Sequence, residues 1–329
     1  MNNYSNTNNY WLNINNMSAL LFPGQGSQIV GMGSEFYNNF AIVKKIFDRA
    51  DEKLSFAISK MILEGPEDQL QLTQNTQPAI LIVSYSIFKV LKDEFNFDFK
   101  NFKYFAGHSL GEYSALVCSD SLDFDDALYL LNERGKAMQE AVPVGQGSMI
   151  AVLGAKIKDV INLIQTRNIN NGICEIANDN AEGQVIISGD NESVEKFQII
   201  LKDSKIKSIP LKVSAPFHCS LMKPAAEKMK EKINNIKFKN PIINIISNVT
   251  AKPENNAENI KKLLIEQIFS TVKWRESIIN MSDANVINYI EIGPGKVLTS
   301  MVKRTIKNVN SFSINSIADI EKLNNEFKK

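Results

Sequence analysis

Apolar runs and helical periodicities alternate along this chain. Residues 18–22 read Ser-Ala-Leu-Leu-Phe, an apolar run stopped by Pro23-Gly24, which predicts a buried strand entering a loop. Over 40–54 apolar residues recur at helical spacing, and a further helix is predicted to open near Pro78, where proline fits the first helical position, and to reach Leu91. Residues 104–106 read as a strand and 112–118 as the helix after it. Strands alternating with helices in this way predict a mostly parallel α/β sheet.

The texture changes after Met138. A loop at 143–147 leads to a strand at 149–153, a helix over 159–165, a strand at 185–188, a helix over 193–201 and a strand over 206–213. The α/β pattern then resumes with strands at 242–247 and 286–292, so the intervening αβ unit reads as an insertion. The expected organisation is a tail at 1–16, a large α/β catalytic domain from 17–142 and 209–329, and a small subdomain at 143–208. No internal repeat or heptad run is present.

Composition narrows the class. The 329 residues are 44% hydrophobic and 22% charged, an ordinary globular balance in a chain long enough to divide its core. Lys plus Arg (37) nearly matches Asp plus Glu (36), so no global field draws the chain to nucleic acid or an anionic membrane, and a charged partner must be met by a local patch. No apolar run approaches bilayer-spanning length. Cys118, Cys174 and Cys219 form no CxxC pair, and with two histidines in the chain a zinc cluster is not expected. Sparse thiols suit a reducing compartment and read as small core residues. The first sixteen residues carry eight asparagines and none of the features of a signal peptide; they read as a disordered tail or as sequence upstream of a start at Met17.

Gly107-His108-Ser109-Leu110-Gly111 matches Gly-x-Ser-x-Gly, in which a tight strand-to-helix turn exposes the serine hydroxyl and glycines admit the neighbouring backbone. A chance match somewhere in such a chain has a probability of about one in ten, so the flanking strand and helix carry the reading. A serine hydroxyl needs a base. His108 adjoins the serine, and alternation on the turn directs its side chain away from the point of attack. His218, in a loop after a strand, is the better base by elimination; its plainer alternative is a satisfied loop histidine. The loop from Phe22 to Gln28 (Phe-Pro-Gly-Gln-Gly-Ser-Gln) has Ile29 at the third glycine position of a dinucleotide fingerprint and no following Gly-Lys-Ser/Thr. Its backbone N–H groups suit an oxyanion instead.

These segments, the serine motif running on as Gly107-His-Ser-Leu-Gly-Glu-Tyr-Ser-Ala115, occur in one order with Arg134-Gly-Lys-Ala-Met-Gln139, Ala215-Pro-Phe-His218 and Glu291-Ile-Gly-Pro-Gly295, joined by Thr76-Gln-Pro-Ala79, Gly147-Ser-Met149 and Asn178-Asp-Asn-Ala181 with Gly183-Gln-Val185. Together they closely resemble malonyl-CoA:acyl carrier protein transacylases over 18–303. The resemblance implies an α/β-hydrolase-like large domain with an inserted ferredoxin-like α+β subdomain and the active site between them. It implies that Ser109 is acylated, that His218 is its base and then the acid for the leaving thiol, and that the backbone carbonyl of Gln267 orients His218. It places the oxyanion between the N–H groups of Gln25 and Leu110 and the malonyl carboxylate on Arg134. A guanidinium suits that last task because it binds a carboxylate bidentately and stays charged when enclosed. Phe217 resembles the malonyl-selective form of its loop, and His108 is placed among the substrate-binding residues. Asn178 and Asn180 read either as cleft-lining or as turn residues.

The implied activity is ping-pong malonyl transfer from malonyl-CoA to the phosphopantetheine thiol of acyl carrier protein, feeding fatty-acid synthesis, with no cofactor or metal. The implied protein is a monomer in the cytoplasm, or in a plastid-type organelle if 1–16 is the remnant of a leader. Lys202, Lys205, Lys207 and Lys212, or Lys303 and Arg304, are candidate contacts for an acidic carrier, against the plainer reading of a solvated face. A serine thioesterase is the rival reading, disfavoured because α/β-hydrolases place an acid and then a histidine after the serine, and no histidine follows His218. The same transfer serving polyketide synthesis, and a catalytically inert carrier scaffold, are the others.

Overall fold

The computed structural model describes residues 17–166 and 172–327. The segment 1–16, read above as a tail, lies outside them. In chain order the first elements are β1 (Ser18–Phe22), α1 (Ser34–Asn39), α2 (Ala41–Leu54), α3 (Ile58–Glu64), α4 (Glu67–Leu70), α5 (Thr73–Lys89), β2 (Tyr104–Gly107), α6 (Gly111–Cys118) and α7 (Phe124–Glu140). The inserted unit contains β3 (Gly147–Leu153), α8 (Ile157–Thr166), β4 (Cys174–Ala181), β5 (Gln184–Asp190), α9 (Asn191–Asp203) and β6 (Lys207–Pro210). The chain returns through α10 (Lys223–Asn235), β7 (Ile245–Ile246), β8 (Pro253–Glu254), α11 (Ala257–Gln267), α12 (Trp274–Asp283), β9 (Asn288–Ile292), α13 (Val297–Thr305), β10 (Asn310–Ile314) and α14 (Ile317–Phe327).

The large sheet has the order β10-β9-β1-β2-β7-β8 and is parallel apart from the antiparallel edge strand β8. Every residue of β1 is buried because the sheet is covered on both faces, as parallel sheets require. Leu20 and Phe22 face one layer, packed with Phe105, Leu116 and Leu131, while Ala19 and Leu21 face the other with Trp274 and Met301. The small sheet, β4-β5-β3-β6, is antiparallel. Its order, with α8 after β3 and α9 after β5, is the ferredoxin-like arrangement. One face packs Ile150, Val152 and Ile187 against Phe197 and Leu201, and the other turns Met149, Ala151 and Ile186 into the large core.

Several elements differ from the sequence reading. Helix α5 begins at Thr73, so Pro78 lies in its interior and not at its first turn. Proline cannot donate to the carbonyl four residues back; that carbonyl, of Gln74, accepts instead from Asn132 Nδ2 at 3.0 Å. The strand expected over 206–213 has its ladder only at Lys207–Pro210, and that over 242–247 only at Ile245–Ile246. Asn178 and Asn180 belong to β4, a strand with no apolar alternation and two register shifts. Such irregularities re-aim side chains, and here Asp179 is held by a bidentate ion pair to Arg275 at 2.9 Å.

Candidate active site

The tight turn between β2 and α6 is built by close backbone approach. A Cβ on Gly107 would lie 1.9 Å from the Gly111 carbonyl, and one on Gly111 would lie 2.2 Å from the Phe22 oxygen. Ser109 sits in the left-handed region at φ 53°, a conformation costing a non-glycine residue about 1–3 kcal/mol unless its surroundings impose it. Asn248 imposes it: its Oδ1 accepts from the Ser109 N–H at 2.7 Å and its Nδ2 donates to the Gly107 carbonyl at 2.7 Å.

His218, also at positive φ (58°), brings Nε2 to 2.8 Å from Ser109 Oγ and Nδ1 to 2.9 Å from the Gln267 carbonyl. Gln267 is the last residue of α11. The final carbonyls of a helix lack intrahelical donors, so this one is free to accept from the imidazole. A carbonyl can only accept, which places the imidazole proton on Nδ1 and leaves the Nε2 lone pair facing the serine hydroxyl. Burial, with the positive charge of Arg134 next, pushes the His218 pKa down to about 3, so the ring is neutral at ordinary pH.

Arg134 is among the largest fully buried side chains. Its helix, α7, is started by the Asp123 carboxylate accepting from the Asp125 N–H. The helix crosses α5 at Gly135, where a Cβ would stand 2.4 Å from Gln74 Cα. The crossing sets Arg134 Nη1 on Gln77 Oε1 at 2.6 Å, and Nη2 on Ser109 Oγ at 3.1 Å and Gln267 Oε1 at 2.9 Å. Nε has no partner, and among the described residues no carboxylate lies within ion-pair distance. Burial lowers its pKa from the usual guanidinium value. A buried cation that stands over the Tyr113 ring and gives its hydrogen bonds to two amides and a hydroxyl, with no carboxylate among them, is suited to receiving an anion.

Ser109, His218 and Arg134 line one cavity of about 210 Å³, together with Gln25, Leu110, His108, Asn178, Asn180 and Phe217. Gln267 lies behind its wall. Neither the Gln25 nor the Leu110 N–H is taken up by another group among the described residues. His108 lines the same cavity as the serine, and there its Nε2 meets Asn180 Oδ1 at 2.8 Å and its ring stands edge-on to Trp274. Burial lowers its pKa. The apolar wall includes Met138, Met149, Ile186, Val213 and Met301.

Sequence reasoning assigned no role to Gln77, Glu112 or Asn248. Gln77 and Glu112 lie inside motifs that carry the resemblance; Asn248 follows a two-residue strand and had no signal. Cys118, Cys174 and Cys219 are free and buried. Among the described residues no cluster of His, Cys, Asp and Glu is placed to hold a metal ion, and no helix is long and apolar enough to cross a membrane.

A strand-to-helix serine, a neutral histidine anchored on a backbone carbonyl and a buried unpaired arginine in one cleft define an acyl-transfer enzyme acting on an acid-bearing group. The chain belongs to the acyl transferase domain family, whose model matches residues 19–326, and within it to the malonyl CoA-acyl carrier protein transacylases. The transacylase of Bacillus subtilis is 42% identical over 305 residues, 92% of this chain and 95% of its own length. The acyl-carrier-protein S-malonyltransferase structure from Bartonella henselae superposes with a TM-score of 0.91 at 39% identity, covering 95% of this chain and 99% of that one. A malonyl-transacylase solved in complex with a type II polyketide synthase acyl carrier protein gives 0.90 at 37% identity, covering 94% and 99%.

Proposed function

We propose that this chain transfers a malonyl group from malonyl-CoA to the phosphopantetheine thiol of acyl carrier protein through a malonyl-Ser109 ester, in fatty-acid synthesis. The observation that carries the reading is the Arg134 guanidinium, buried without a carboxylate and bonded to the nucleophile itself. His218 Nε2 takes the Ser109 proton as Oγ attacks the thioester carbonyl, and the tetrahedral oxyanion is received by the N–H groups of Gln25 and Leu110. Oxyanion donors of this kind contribute about 3–4 kcal/mol each. The carbon–sulfur bond breaks, the sulfur takes the proton from His218, and coenzyme A leaves. The carrier thiol then gives its proton to His218, attacks the ester and restores Ser109.

The imidazolium formed in each half-reaction is held by the Gln267 carbonyl at the end of α11, where the helix dipole favours positive charge. Arg134 holds the malonyl carboxylate, with Phe217, Asn178, Asn180 and His108 shaping the rest of the cleft. The reading takes the enzyme as a cytoplasmic monomer that needs no cofactor. The test is enzyme preloaded from malonyl-CoA, freed of excess and given holo carrier protein. Stoichiometric malonyl-carrier is expected; release of free malonate instead identifies a hydrolase.

A second reading, the same transfer to a polyketide carrier, is favoured by the likeness to the malonyl-transacylase solved with a type II polyketide synthase carrier. Competition between fatty-acid and polyketide carriers for the malonyl-enzyme separates the two.

A further inference from the structure

Behind the active site, one carboxylate is enclosed on the wrong side of the wall to touch substrate. Glu112 is the second residue of α6 and is 3% exposed. Its Oε2 accepts from Gln267 Nε2 at 2.8 Å and from the Asn248 N–H at 3.1 Å. The other end of the Gln267 amide, Oε1, accepts from Arg134 Nη2 at 2.9 Å. A single neutral amide therefore spans the gap between a buried acid and a buried base that do not meet.

The arrangement has a physical consequence. A direct Glu–Arg ion pair would saturate the guanidinium and compete with any incoming carboxylate. A cation enclosed with no counter-charge at all would carry the full desolvation penalty. An interposed amide avoids both outcomes, because it transmits polarisation along the hydrogen-bond chain while keeping the charges apart. It also fixes the direction of the amide. With an acceptor-only carboxylate at one end and a donor-only guanidinium at the other, Gln267 can point only one way.

We propose that Glu112 is a positioning residue for Arg134, a remote counter-charge acting through the Gln267 amide that keeps the guanidinium charged and aimed while its substrate side stays unpaired. The inference rests on the reading of Arg134 as the malonyl-carboxylate grip. Burial pushes the Glu112 pKa up to about 7. The charged group acting on it is Arg134 on α7; Gln267 on α11 and Asn248 after β7 are neutral. The Tyr113 hydroxyl beside it is pushed up to about 12, and the imidazoles of His218 and His108 are held below their usual range, so all three stay uncharged near pH 7.

The test compares single-turnover loading of Ser109 from malonyl-CoA and from acetyl-CoA in wild type, E112Q, E112D and R134A. E112Q keeps the shape and an acceptor for the same donors but removes the charge. At pH 8, where Glu112 is ionised, its malonyl:acetyl loading ratio is expected to fall about tenfold or more, mainly through malonyl loading, with E112D recovering part of it. Equal losses of both rates in E112Q, or an unchanged ratio, would mean that Glu112 only fills space, and would overturn the inference. Should E112Q not fold, wild type decides. Its malonyl:acetyl ratio is expected to rise between pH 6 and 8 as Glu112 ionises, and a flat ratio overturns the proposal. If R134A keeps the wild-type ratio, the grip reading itself is wrong; if R134A loses the ratio and E112Q does not, only the Glu112 inference fails.

Discussion

The guanidinium of Arg134 donates to the oxygen of Ser109 across 3.1 Å, while the hydroxyl of that serine meets His218 Nε2 at 2.8 Å. On the proposed reading, the carboxylate grip and the nucleophile thus share a hydrogen bond before any acyl group arrives. Donation to Oγ makes the hydroxyl a better acid. It also means that a carboxylate claiming Arg134 frees Oγ at the moment of attack.

The Arg134→Ala variant is therefore expected to lose malonyl loading by about 100-fold or more, the scale of roughly 3 kcal/mol for a charge-assisted, bidentate contact in a dry site. Acetyl loading should fall far less. Arg134→Lys should recover only part, because a point charge does not reproduce the planar fork. Initial rates of acyl-enzyme formation from the two thioesters check this; equal losses for both would contradict it.

After burial, the charge of Arg134 also holds down the pKa of His218, the proposed base. His218 carries a pKa pushed down to about 3 by burial and by the guanidinium charge, so its accepting form persists well below the usual histidine range. Acetyl loading, which leaves Arg134 without a carboxylate, should show no fall attributable to His218 between pH 8 and 5. In Arg134→Ala the charge is gone, the His218 pKa rises, and an acid limb should move upward towards 6.5. A limb at the same pH in both enzymes would count against the coupling.

Glu112 makes a separate prediction about stability. Its pKa in the folded chain is raised to about 7 against an ordinary 4.5, so the folded state holds a proton that the unfolded state has released. Its favourable contribution is complete below the unfolded value and is lost as pH rises through about 7. In this window the slope is on the order of 1 kcal/mol per pH unit. The melting temperature of Glu112→Gln, taken relative to wild type, should therefore climb from pH 5 to pH 8. A difference that is constant with pH would contradict the raised value. Burial also raises the pKa of Glu291, but that group is common to both proteins and cancels.

Gly135 sets the crossing of α5 and α7, where an added Cβ meets Gln74 backbone at 2.4–2.6 Å. Gly135→Ala should cost about 1–3 kcal/mol or more, because backbone cannot move aside as a flexible side chain would. Since Arg134 precedes it, malonyl loading should suffer more than acetyl loading. Thermal melting and the two loading rates are the measurements.

The legible parts of this chain are those where one residue's chemistry constrains one place. Gly107, Ser109 and Gly111 announce the turn because only glycine fits its flanks, and the continuous apolar run of β1 announces a strand covered on both faces. Arg134 drew a role only from the resemblance, since a lone arginine on a helix otherwise reads as a surface residue. The site's supporting shell was harder to see. Asn248 acts through contacts 139 and 141 residues distant in sequence, to Ser109 and Gly107. β4 is polar along Asn178-Asp179-Asn180 because its side chains bond to His108 and Arg275 instead of entering a core. Pro78 misled for a related reason: the carbonyl it leaves unpaired is satisfied by Asn132 on another helix.

On the proposed mechanism Ser109 carries the malonyl group, with His218 as its base. Intact-protein mass after brief exposure to malonyl-CoA tests it most directly, in wild type beside Ser109→Ala and His218→Ala. One malonyl adduct per wild-type chain is expected, none on Ser109→Ala and at least 100-fold slower formation on His218→Ala, with the adduct discharged by holo carrier protein. An adduct that survives in folded Ser109→Ala, or its absence from wild type while free malonate accumulates, would contradict the account.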